Sequence, residues 1–202
     1  MKAPRPWRLL GAALMLWASA SFNAAAAQTH SIKWPLVIPP LPRIPLNEQV
    51  IRIPMTYGEA NLTLEATLYL PDGPGPFPLV VLSHGTPRQA RDRRERVRFE
   101  AQSWKFITWG FAVVVPMRRG YGGSGGSYAE DEGWCETARY YEAGLASAHD
   151  LEATLRFIQP HPAINSRAVI LAGHSAGGFA SLALASRGPP GLRGVINFGG
   201  GR

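Results

Sequence analysis

Four short runs of this chain are nearly continuous in apolar side chains: Pro78-Leu79-Val80-Val81-Leu82-Ser83, Phe111-Ala112-Val113-Val114-Val115, Ala168-Val169-Ile170-Leu171-Ala172 and Gly194-Val195-Ile196-Asn197-Phe198. Each has the length of a strand and shows little alternation, as expected of strands covered on both faces. Helical segments separate them. Arg96 to Trp109 lies between the first and second runs. Between the second and third, Leu145, Ala148, Leu151, Leu155 and Ile158 recur at helical spacing until Pro160 ends the pattern. Ala176 to Arg187 follows the third and is closed by Gly188 and Pro189-Pro190. Two strands lead the series, Val50 to Tyr57 and Leu62 to Leu70, the second with Leu62, Leu64, Ala66, Leu68 and Leu70 on one face. Strands alternating with helices after a leading pair predict an α/β fold, with a mostly parallel sheet, helices on both faces and an antiparallel pair at one side.

The third buried run ends in Gly173-His174-Ser175-Ala176-Gly177-Gly178, and a helix follows at once. A Gly-x-Ser-x-Gly run is weak evidence by itself. Between a strand and a helix every residue acquires a task. The serine takes a sharp turn that lifts its hydroxyl out of the sheet, and Gly173 and Gly177 let strand and helix approach closely. The Ala176 N–H, at the helix start, faces the place where a tetrahedral oxyanion forms. His84-Gly85-Thr86-Pro87 follows the first buried run, where the second oxyanion N–H is expected; Thr86 is the candidate, because Pro87 has no N–H. His84 is expected to shape that loop rather than act as a base.

These three segments, Ser83-His84-Gly85-Thr86, Arg119-Gly120-Tyr121-Gly122-Gly123-Ser124-Gly125 and Gly173 to Gly178, stand in the order and spacing of the α/β-hydrolase fold. Over residues 50–202 the chain resembles a secreted member of its dienelactone hydrolase and prolyl-oligopeptidase-like branch. The resemblance implies a serine hydrolase cleaving a carboxylic ester or similar acyl bond through an acyl-enzyme on Ser175. It implies a small-molecule ester or acyl substrate and no cofactor or metal. A serine peptidase of the prolyl-oligopeptidase-like type is the alternative within the class. Dienelactone hydrolases proper are associated with a cysteine nucleophile, so Ser175 leaves lactone specificity open.

In this fold the triad runs serine, acid, histidine along the chain. The 27 residues after Ser175 contain no Asp, Glu or His. Acid and histidine are therefore expected beyond residue 202, together with the last strands of the sheet, and the 202-residue chain is expected to be an inactive N-terminal part. The upstream histidines are poor substitutes. His174 adjoins the serine on the turn and should point elsewhere. His149 and Asp150 are helix neighbours that diverge by roughly 100°. His161 lies between prolines and His30 in a proline-rich arm. A hydrolase-fold binding module without catalysis is the reading that would fit a chain ending at Arg202.

The N-terminus carries a separate signal. Lys2, Arg5 and Arg8 precede the apolar run Leu9 to Ala20, and Ala25-Ala26-Ala27 offers a cleavage site. This is the build of a signal peptide over residues 1–27, and the run is shorter than the roughly 20 residues a membrane span needs. Export is the expected fate, with no stable membrane insertion. Residues 28–49, with Pro35, Pro39, Pro40, Pro42 and Pro45, read as an extended arm. The net charge of +7 falls to +4 once three basic leader residues are set aside, leaving no clear basic footprint for nucleic acid. The interleaved Arg88 to Arg98 stretch reads as a solvated helix face, with one or two arginines near an anionic substrate as the minority reading.

Three other features have ordinary explanations. Gly120-x-Gly122-x-x-Gly125 matches the dinucleotide fingerprint in form, but no prompt helix or later acidic strand end accompanies it. The single cysteine, Cys135, reads as buried or as paired with a cysteine beyond residue 202. Trp104 and Trp109 read as parts of a helix packed on the sheet, and Trp134 as site lining or core.

Overall fold

The computed structural model describes residues 46–201; the leader reading of 1–27 and residues 28–45 of the arm lie outside them. The end of the predicted arm is already strand, since β1 runs Glu48–Tyr57. It forms a hairpin with β2, Ala60–Tyr69, in unbroken register from Glu48↔Tyr69 to Tyr57↔Ala60. The turn uses Gly58 at φ +58°, a conformation that glycine adopts without steric cost.

Then follow β3 Phe77–Ser83, α1 Glu100–Thr108, β4 Ala112–Pro116, α2 Tyr140–Ile158, β5 Ile164–His174, α3 Ala176–Ala185 and β6 Leu192–Phe198. The six strands stand in the order β1-β2-β4-β3-β5-β6. The pairs β4–β3, β3–β5 and β5–β6 are parallel, and β2 meets β4 antiparallel. The predicted architecture is therefore the observed one.

Strand alternation divides the core. Leu79 and Val81 of β3 face one side with Ala148, Leu151 and Leu155 of α2 and Ala180 and Leu184 of α3. Val80 and Leu82 face the other with Phe106 of α1. Period-2 geometry sends successive side chains to opposite faces, so a strand with helices on both sides must be apolar throughout. The chain leaves β3 to one side for β4 and returns past it to β5. That makes the carboxyl ends of β3 and β5 a topological switch point, where open α/β sheets place their ligands.

Two helices differ from expectation. The predicted helix 96–109 begins only at Glu100. Arg96 and Arg98 sit in extended chain because their guanidinium groups reach back to Glu48, and Phe99, at φ 48°, turns the backbone into α1. The stretch before them contains a short 3-10 turn, Ala90–Arg94, rather than a helix face. In α2 the buried stripe passes through Gly144 and Ser147 and leaves Leu145 38% exposed. Gly144 is small because the Phe179 ring of α3 lies where its Cβ would point. Trp134 is 81% exposed, neither core nor lining of the Ser175 cleft, and Trp109 of the α1 end is also largely exposed.

Candidate active site

Ser175 occupies the joint between β5 and α3 with φ 52° and ψ −126°. A positive φ is strained for a residue with a Cβ, and here the surroundings impose it. The Ser175 N–H donates to the Phe198 carbonyl at the end of β6 at 3.0 Å. Its own carbonyl accepts from the N–H groups of Gly178 at 2.8 Å and Phe179 at 3.1 Å. The glycines make room for this bend. A Cβ on Gly173 would fall on the Gly177 carbonyl, and one on Gly177 would fall on the Ser83 carbonyl of β3. Ala176 opens α3, so its N–H belongs to the first turn, whose donors have no partner within the helix.

Register brings the second element alongside. Ser83 of β3 pairs with Gly173 of β5, so the loop 84–87 and the serine turn leave the sheet as neighbours. A Cβ built on Gly85 would lie 3.1 Å from the Ser175 Cβ and 3.2 Å from His174 Nδ1. Ser175, His174, Gly85, Thr86 and Pro87 line one open cleft of about 690 Å³ together with Asp92, Glu95, Arg96, Met117 and Tyr121. An apolar hollow of about 630 Å³ adjoins it and shares Phe99 and His174.

Of the arginines between residues 88 and 98, only Arg96 lines the cleft, and its guanidinium is engaged by Glu48 at 2.8 Å and Thr67 Oγ1 at 2.7 Å. One arginine of the stretch thus lies at the cleft, already paired, and Asp92 and Glu95 line the cleft with it.

Sequence reasoning missed the charged wall beneath the 84–87 loop. Arg118 and Glu130 are both buried, with 0% and 1% of their side chains exposed, and they form a two-pronged ion pair. Arg118 Nη1 also donates to Ser83 Oγ and to the His84 carbonyl, each at 2.7 Å. Arg119 points the other way, to buried Asp150, through its Nε at 2.6 Å and its N–H at 2.8 Å. A signal existed in Arg118-Arg119: two cations directly after a buried strand require buried partners. The sequence did not say which acids those were.

Burial sets the electrostatics of this wall. Burial pushes the His84 pKa down to about 3, with help from the positive charge of Arg118. His84 Nε2 accepts the Arg118 N–H at 3.3 Å, which puts the imidazole proton on Nδ1, donated to the Gly85 carbonyl at 2.9 Å. Burial also pushes the Glu130 carboxyl upward, but the Arg118 guanidinium outweighs it and holds the pKa below the usual carboxylate range. Asp150 goes the other way, because its burial outweighs Arg119. Burial and then the Glu130 charge raise the Tyr121 phenol above its ordinary value.

Each histidine among the described residues has a place. His84 is neutral and engaged at both nitrogens. His149 bonds the Thr56 carbonyl at 3.0 Å, away from Asp150, as the helix geometry predicts. His161 Nδ1 accepts the Ala163 N–H at 3.2 Å. His174 is exposed at the cleft rim. Among the described residues, no hydrogen bond links a histidine to the Ser175 hydroxyl.

Among the described residues, no group of three or more His, Cys, Asp or Glu is placed to hold a metal ion. The glycine-rich run after β4 folds onto β2 rather than opening a helix. Its Gly125 N–H donates to the Thr63 carbonyl at 2.8 Å, and Ser124 Oγ accepts the Glu65 N–H at 2.8 Å. A Cβ on Gly120 would lie 2.5 Å from the Tyr128 Cα. The glycines serve a tight backbone contact, and the nucleotide reading has no helix N-terminus to stand on.

Sheet order, strand–serine–helix joint and flanking loop together define an α/β-hydrolase fold. A sequence model of the X-Pro dipeptidyl-peptidase (S15 family) matches residues 61–200, and the chain belongs to that family. No curated protein matches the chain significantly. Among solved structures, an aminopeptidase from a marine sediment Thaumarchaeota archaeon superposes with a TM-score of 0.54 at 20% identity, covering 75% of this chain and 25% of its own. Porphyromonas gingivalis dipeptidyl peptidase 4 gives 0.52 at 18% identity, covering 75% and 20%. A dienelactone hydrolase-like promiscuous phosphotriesterase from metagenomic libraries gives 0.54 at 18%, covering 76% and 60%. The chain thus spans a fifth to three fifths of the length of these structures. At such identity they share the fold.

Proposed function

We propose that this chain carries the nucleophile and oxyanion hole of a serine hydrolase that cleaves a carboxylic ester or similar acyl bond. One observation carries the reading: Ser175 sits at positive φ between strand and helix, on the same cleft as Thr86. In the reaction, Ser175 Oγ attacks the acyl carbonyl carbon while the N–H groups of Ala176 and Thr86 hold the oxyanion. The alcohol leaves with a proton, and water then releases the acyl group as a carboxylic acid. One such donor contributes a factor of roughly 10²–10³ to the rate.

An unactivated serine is a weak nucleophile, so a base is required. The reading places that histidine, and the acid orienting it, outside residues 46–201. A peptide bond is the second reading, favoured by the match to a family described as X-Pro dipeptidyl-peptidase. Its chemistry differs only in the leaving group. Residues 1–27 are proposed as an export leader cleaved near Ala27, which N-terminal sequencing of the exported protein checks.

The test compares p-nitrophenyl acetate with an Xaa-Pro p-nitroanilide. The 202-residue chain alone is expected to hydrolyse either no faster than its Ser175→Ala variant. Robust turnover lost in Ser175→Ala would show instead that an upstream histidine serves. In the protein as its gene encodes it, the preferred substrate decides between ester and peptide.

A further inference from the structure

Tyr121 lies in the wall of the Ser175 cleft yet is 1% exposed, and none of the chemistry above uses it. Its hydroxyl is 3.0 Å from Thr86 Oγ1 and 3.2 Å from Glu130 Oε2. Its ring stands edge-on to His84 with centroids 4.5 Å apart. Counting protons gives this chain of contacts a direction. Glu130 faces Arg118 and is ionised, so it accepts only, and the single phenolic proton goes to it. Tyr121 oxygen must then accept from Thr86, whose hydroxyl proton is committed inward. Thr86 thus has its side chain pinned, and its backbone N–H is left as the group it offers to the cleft.

We infer that Tyr121 is a positioning residue: anchored by the Arg118–Glu130 pair, it fixes Thr86 and so aims the second oxyanion donor. This rests on the proposed acyl-transfer reading. The same anchor grips the preceding loop atoms, since Arg118 holds Ser83 Oγ and the His84 carbonyl. The 83–86 segment is therefore tied from below at three points, Ser83, His84 and Thr86. Preorganised donors need no rearrangement as charge develops, and a misplaced one loses most of its effect. In this role Tyr121 acts through Thr86.

The test uses the protein as its gene encodes it, with p-nitrophenyl acetate or the Xaa-Pro p-nitroanilide, whichever it turns over faster. Tyr121→Phe keeps the ring against His84 and deletes only the hydroxyl. It is expected to lower kcat roughly tenfold with KM within about twofold, in line with a misaimed donor. Thr86→Val is expected to lower kcat similarly, Thr86→Ser to restore it, and Tyr121→Phe added to Thr86→Val to cost nothing further. Unchanged kcat in Tyr121→Phe overturns the inference. So does an equal loss from Tyr121→Phe in the Thr86→Val background, because Tyr121 would then not act through Thr86. Turnover that persists in Ser175→Ala instead brings down the acyl-transfer reading beneath it, a different result in a different variant.

Discussion

The two walls of the Ser175 cleft are built by opposite means. On the α3 side, position is set by backbone: glycines with no room for a Cβ, a serine at positive φ, and main-chain bonds to β6. On the β4 side it is set by side chains taken out of water: Arg118, Glu130, Tyr121 and His84, all nearly fully buried. The first wall resists because atoms already touch. The second resists because each buried charge would be left without its partner, a cost that grows as the dielectric falls. Backbone construction offers rigidity insensitive to pH, whereas charged construction ties the loop geometry to protonation.

The largest expected effect comes from acid acting on the charged wall. His84 is neutral when folded, with its pKa pushed down to about 3, against an ordinary value of 6.5. Above the ordinary value neither state is protonated and His84 contributes no pH dependence. As pH falls from 6.5 towards 3, the unfolded chain binds a proton that the folded chain excludes. Stability should then drop by roughly 1.4 kcal/mol per pH unit, about 4–5 kcal/mol in all. Urea midpoints across that window should show the slope, and His84→Asn should flatten it. The lowered pKa of Glu130 works the same way at lower pH, its contribution vanishing as pH falls through its folded value.

Next comes the wall's ion pair. Glu130→Gln leaves Arg118 buried beside a neutral amide and should cost about 3–5 kcal/mol in urea unfolding. Replacing both, as Arg118→Met with Glu130→Leu, should recover much of that loss while leaving the 84–86 loop unclamped. On the backbone wall, Gly173→Ala drives a Cβ into the Gly177 carbonyl, and a cost near 3 kcal/mol is expected, unchanged between pH 5 and 8. The smallest effect is at an ion pair outside the cleft, Arg187–Glu152, about a third exposed at each partner. Arg187→Ala should shift stability by less than about 1 kcal/mol. A Gly173→Ala cost that varies between pH 5 and 8, or a Glu130→Gln cost that does not shrink as pH falls below the ordinary carboxylate range, would erase the distinction between the walls.

The same contrast explains what was legible in the sequence. Backbone-built features leave contiguous signatures. Gly173 to Gly178 sit side by side in the chain, and the apolar runs announced β3, β4 and β6 within a residue or two and the inner part of β5, which starts four residues before its run. Networks of side chains leave none. Arg118 meets Glu130 12 residues on and Ser83 35 residues back, and only the folded sheet brings them together. The late start of α1 was illegible for the same reason, because its cause is Glu48 in β1. His84 was legible only as a loop former; its engagement at both nitrogens depends on the Arg118 backbone.

The most direct test of the account is covalent. The protein as its gene encodes it, isolated in active form, is treated with a fluorophosphonate and digested with trypsin. The account predicts loss of activity together with one phosphonyl adduct on Ser175, within the peptide 168–187 that Arg167 and Arg187 delimit. Full inactivation with that peptide unmodified, or a label on another serine, would contradict Ser175 as the nucleophile.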